Sequence, residues 1–218
     1  MGSISRRISI AWPPGPPSEP TSTLVLTALN NIFIDIRLLF PSPSLSPMDP
    51  PSASELPDGM TLYWAFAGTR AYDKLTNEGK WTHKVDSRYL DRSDVVDSGH
   101  FETLENGDTL ERGTMMDFDD GKVKFYQEVW RDEVVGGAEC LVLQLNNTTT
   151  DAVGIVVRLG EWCQGILREG DKVTVERWYQ KRLVFRHGEG QLPCGVAYDS
   201  KHDESAFLNE QEWKCVLE

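Results

Sequence analysis

Residues 156–178 read VVRLGEWCQGILREGDKVTVERW, and their rhythm decides the fold. Short runs of alternating side chains are interrupted by Gly160, Gly165 and Gly170-Asp171, which predicts three strands separated by bends and tight turns. Arg158, Gln164, Glu176 and Arg177 stand among the apolar positions rather than in the turns. They either face water or line a cavity. Neighbouring strand residues point to opposite faces, so Glu176 shares a face with Thr174 and Trp178 while Arg177 shares one with Val173 and Val175. The first face has a pocket-like mix and is read as inward, with Arg177 outward, although the two valines argue the other way.

The same period recurs outward from this stretch. Ile32, Ile34, Ile36, Leu38 and Phe40 fall on one face, with Asp35 and Arg37 on the other. Trp81, His83 and Val85 group together, as do Tyr126, Glu128 and Trp130. No long amphipathic helix competes with this pattern. Strands are predicted at 5–12, 22–29, 32–40, 61–68, 80–86, 109–117, 122–131, 139–146, 153–160, 163–169, 172–179, 182–187 and 211–217. Asn106-Gly107, Asp120-Gly121, Gly136-Gly137 and Gly170-Asp171 supply hairpin turns. Residues 41–57 are Pro- and Ser-rich and are expected to form a disordered surface loop. The stretch from Tyr89 to Asn106 is rich in Asp and Ser and is read as an irregular joint between an N-terminal and a C-terminal half. So many strands in 218 residues predict closed barrels, because closure removes exposed edges. The expected domains are 1–100 and 101–218, two small barrels side by side.

Bulk properties exclude several functions. A net charge of -12 speaks against a nucleic-acid partner, since phosphate binding needs a basic surface. No apolar run is long enough for a membrane span, and the first residues lack a signal-peptide core, so a cytoplasmic location is expected. Cys140, Cys163, Cys194 and Cys215 have no metal-ligand spacing and read as small buried hydrophobes. No phosphate loop, nucleophile elbow or zinc motif occurs, and no cofactor is expected.

Several blocks taken together resemble a known family. Glu19 to Thr27, Phe33 to Arg37, Trp64 to Gly68, Trp81 to Arg88, Glu128 to Asp132 and the opening stretch follow in the order of the fungal casein-kinase-interacting (Hri-one) family. The resemblance runs from about residue 8 to residue 195 and marks a divergent member. It implies calycin, lipocalin-like antiparallel β-barrels in an intracellular fungal protein, and it carries over no catalytic residues. Gly79-Lys80-Trp81 and Gly160-Glu161-Trp162 each match the lipocalin G-x-W pattern, whose tryptophan packs under an arginine.

The all-β barrel reading leads to three functions. The first is binding of a small hydrophobic molecule within a barrel, with Trp64, Trp81, Tyr126, Trp130, Arg158, Gln164, Glu176 and Trp178 as ligand contacts. The alternative is a cofactor-independent cyclase or isomerase acting on a polyketide or terpenoid in fungal secondary metabolism. There His83 and Glu128 would be the catalytic acid and base, with Arg131 or Arg158 pairing Glu128. The bland reading of His83 is a core histidine bonded to a carboxylate. A protein-interaction module, using outer strands or residues 41–57, is the further alternative.

Overall fold

The computed structural model describes residues 2–42, 56–89, 96–117, 120–135, 139–199, 206–208 and 211–216. Most of the predicted loop 41–57, the Gly136-Gly137 turn and Leu217 therefore lie outside the described residues. The fold is all-β. Eight strands close into an antiparallel barrel: β1 (Gly2–Ala11), β2 (Thr21–Thr27), β3 (Ile32–Leu39), β4 (Thr61–Asp73), β5 (Glu78–Asp86), β6 (Val96–Thr103), β7 (Thr109–Asp117) and β8 (Lys122–Val135). Each pairs with its successor, and β8 returns to β1 along Gly2–Ala11. This is the up-and-down topology of eight-stranded lipocalin barrels.

Seven further strands build one open sheet: β9 (Cys140–Asn147), β10 (Ala152–Leu159), β11 (Trp162–Glu169), β12 (Lys172–Tyr179), β13 (Arg182–His187), β14 (Ala206–Leu208) and β15 (Gln211–Cys215). The opening stretch forms most of β10, β11 and β12, with Gly160 and Gly170 at positive φ in its turns. Sheet membership changes between Val135 and Cys140, and the division expected near residue 100 falls inside β6 of the barrel.

One face of the open sheet covers the outside of the barrel. Leu24, Leu26, Ile34, Ile36 and Ala67 from the barrel pack with Val142, Ile155, Val157, Ile166 and Val175 from the sheet in one buried core. The other face is covered by Leu192, Cys194, Ala197, Tyr198 and Trp213, which pack on Leu143, Val156, Cys163 and Leu167. This double cover corrects the reading of residues 176 and 177. Neither side chain faces water: Glu176 and Arg177 are each 0% exposed, on opposite faces.

The aliphatic face of β3 decides what lies inside the barrel. Ile32, Ile34, Ile36 and Leu38 point outward into the shared core, which turns Phe33, Asp35 and Arg37 into the lumen. The barrel interior is therefore the more polar side of its wall. On β5 a register shift opposite Ala67 and Gly68 breaks the alternation. Val85 joins the shared core while His83 turns inward, so the predicted grouping of Trp81, His83 and Val85 on one face is corrected. Gly68 is required there, because a Cβ would meet the Thr82 carbonyl oxygen at 1.9 Å.

Two strands escape the sequence reading, β6 and β14. In β6, Asp97, Phe101 and Thr103 line a charged lumen, so the strand carries no apolar stripe.

Candidate functional site

The barrel encloses a cavity of about 650 Å³. Its wall combines aromatic rings (Phe33, Phe66, Trp81, Phe101, Trp130) with ionisable groups. Two glycines make room for the key pair. Gly99 of β6 and Gly113 of β7 stand opposite each other. A Cβ at Gly99 would meet Glu111 Oε1 at 2.6 Å, and one at Gly113 would meet Tyr126 Oη at 2.6 Å. Glu111 and Tyr126 thus lie flat against thinned wall, and the Tyr126 hydroxyl donates to Glu111 Oε1 at 2.6 Å.

Below them two arginines hold Glu19, Asp35 and Glu128. Arg7 donates to Glu128 Oε1 at 2.5 Å and forks onto Glu19 at 2.7 and 3.0 Å. Arg37 donates through Nε and Nη2 to Asp35 Oδ2 at 3.0 and 2.8 Å, and through Nη1 to Glu128 at 3.3 Å. The pairs explain why such charges tolerate burial, since a buried ion without partners costs several kcal/mol. Burial opposes the charge on Arg7, but Glu19 and Glu128 outweigh it and raise its pKa. Asp35 and Glu128 do the same for Arg37. Burial pushes Glu111 up to about 8, and the facing Glu128 adds to this.

At the floor of the barrel, His83 stacks on Phe66 with centroids 4.2 Å apart. Its Nδ1 lies 2.7 Å from Asp86 Oδ2, and Asp86 is itself fixed by the Trp64 indole at 3.0 Å and by the Arg88 amide at 2.7 Å. His83 Nε2 is 3.2 Å from Asp97 without hydrogen-bond alignment. Burial lowers the His83 pKa, but the two carboxylates outweigh it and raise it overall.

Four of the residues singled out from sequence line the cavity together: Trp81, Tyr126, Glu128 and Trp130. His83 and Trp64 sit one layer deeper, behind Phe66, with Arg37 stacked over Trp64 at 5.1 Å. The other four belong to the open sheet. Gln164 bridges the two sheets, donating to Leu24 O at 3.0 Å. Arg158 reaches the carbonyls of Ala197 and Tyr198 and pairs with Glu139. Glu176 accepts from the Trp178 indole at 2.7 Å and from Arg186. Arg131, expected beside Glu128, pairs with Asp108 instead.

Sequence reasoning passed over Arg7, Asp35, Arg37 and Glu111. A signal existed for Asp35 and Arg37, charged residues opposite a wholly aliphatic face. That pattern fits a strand covered on both sides. Of the two G-x-W tryptophans, Trp81 lies under Arg70 at 5.8 Å and Trp162 under Arg6 at 5.7 Å.

Comparison with known proteins places this architecture in context. A family model described as Protein HRI1 matches residues 3–217. Protein HRI1 of Lachancea thermotolerans is 28% identical over 194 aligned positions, covering 77% of this chain and 69% of the relative. Protein HRI1 of Saccharomyces cerevisiae is 25% identical over 197, covering 78% and 75%. The crystal structure of the uncharacterized Saccharomyces cerevisiae protein YLR301w superposes with a TM-score of 0.75 at 19% identity. It covers 100% of this chain and 98% of its own.

Proposed function

The chain belongs to the HRI1 family, and from that barrel framework we propose that it binds a small molecule inside the closed barrel. The observation that carries the reading is the cavity of about 650 Å³. Ligand sites commonly span roughly 300–1,000 Å³, and a barrel packed solid would offer none. The wall narrows the expectation of a purely hydrophobic ligand. An apolar molecule would leave Asp35, Glu111 and Glu128 facing hydrocarbon, so the occupant carries polar groups as well as an apolar body.

Native mass spectrometry of protein purified from its host tests the reading. A retained small molecule is expected in the wild type and lost in Val25→Trp, which fills the cavity from the β2 wall. Equal retention in both would remove the cavity as the site.

A second reading, cofactor-independent proton transfer on the bound molecule, is favoured by one pair of groups. Glu111, pushed up to about 8, keeps its proton at neutral pH beside Glu128, the arrangement a general acid needs. An isomerase or cyclase would return a product of unchanged mass and altered chromatographic retention after incubation with a host extract. Identical retention before and after would speak against it.

A further inference from the structure

We propose that the ligand of the barrel is a small organic cation, an amine joined to an aromatic or other apolar body. The proposal rests on the cavity-binding reading and names its ligand class.

The balance of charge favours a cation. Around the inner end of the cavity, the carboxylates of Glu19, Asp35, Asp97 and Glu128 are met by the guanidinium groups of Arg7 and Arg37, with the His83 imidazole 3.2 Å from Asp97 and shared with Asp86. Arg70, also on the wall, lies over Tyr72 and Trp81 at 5.7 and 5.8 Å, and Glu102 and Asp132 add two further carboxylates to the lining. The site is short of positive charge.

A single oxygen points the same way. Asp35 is 2% exposed and lines the cavity. Its Oδ2 takes both contacts from Arg37, while its Oδ1 has no hydrogen-bond partner. A buried carboxylate oxygen without a donor is costly, and an ammonium N–H would supply one. Glu111 adds to this. Burial first and the facing Glu128 second keep its carboxyl neutral, and an entering cation would relieve the Glu128 part. Trp130 leans its indole N–H toward Glu111 without completing a bond.

The wall suits an organic cation better than a metal ion. Among the described residues, no three carboxylate, imidazole or thiolate groups are gathered closely enough to hold a metal. Phe33, Phe66 and Trp130 instead present ring surface beside the carboxylates, the combination by which proteins hold organic ammonium groups. An anion would meet a wall whose carboxylates, Asp35, Asp97 and Glu128 among them, outnumber its guanidinium groups, and it could not satisfy the Asp35 oxygen. A neutral apolar body would leave the Asp35 oxygen unpaired.

Calorimetric titration of the full chain at pH 7 tests the assignment with three probes on one skeleton: naphthylethylammonium, naphthylethanol and naphthylpropionate. The ammonium is expected to bind at least about tenfold more tightly than the alcohol, with the carboxylate weaker still. Asp35→Asn and Glu111→Gln should each lower the ratio of ammonium to alcohol affinity, and continued binding of the alcohol reports an intact cavity. A preference for the alcohol or the carboxylate overturns the cation and leaves the cavity reading standing. Binding of none of the three also overturns it, and a retained molecule in the native mass spectrum would then still support the cavity.

Discussion

Burial and the Glu128 carboxylate hold Glu111 near 8, well above its ordinary 4.5. Between those values the native state keeps a proton that the unfolded chain has lost, so stability falls as pH rises through that window. His83 acts in the same direction. Its pKa is raised above 6.5, so its contribution is complete below that value and is lost as pH rises through the folded one. Thermal melts should therefore show a falling midpoint from about pH 5 to 8. Glu111→Gln should flatten the fall and raise the midpoint at pH 8 by several degrees; an unchanged slope would mean that Glu111 titrates normally. At this scale Glu128 and Tyr126 were legible, because alternation put them on one face with Trp130. Arg7 and Glu111 were not, because their partners lie on distant strands: 121 residues separate Arg7 from Glu128.

The register of β4 against β5 depends on one glycine. Gly68 lets the Thr82 carbonyl approach so closely that the chain gains a residue there, which sends His83 inward and Val85 outward. Gly68→Ala should destabilise the protein by about 3 kcal/mol or more, measured by denaturant unfolding, since backbone rather than a flexible side chain must yield. A loss under roughly 0.5 kcal/mol, the range of neutral surface changes, would show that the strands can slide to accommodate the methyl. Alternation located both strands and missed the bulge, because one extra residue leaves no compositional mark. It missed β6 for a different reason: strand signals assume an apolar inner face, and Asp97 and Thr103 face a charged lumen. On β12 the error ran the opposite way. Glu176 and Arg177 are both inside because the sheet is covered twice. Arg177 meets only neutral acceptors among its hydrogen-bond partners, the Ser22 and Ile36 carbonyls, Ser22 Oγ and Gln164. Burial accordingly pulls its pKa down to about 9.

The barrel and the open sheet share a hydrophobic core, so they are expected to unfold as one unit. Leu26→Ala on the barrel side and Ile155→Ala on the sheet side should each cost about 2–5 kcal/mol and lower a single calorimetric transition. Two transitions, each responding to one substitution, would show that the halves are independent. The all-β class, the family and most strand positions are readable from the residues alone, with 109–117, 172–179 and 182–187 matching the observed limits. These are local properties, set by a period of two and by the turn chemistry of glycine. Which face of each strand is the inside follows from how the two sheets pack. Alternation sorts side chains into two sets without saying which set meets the lumen. In β3 the aliphatic set serves the contact between sheets, and the charged set is left to line the cavity.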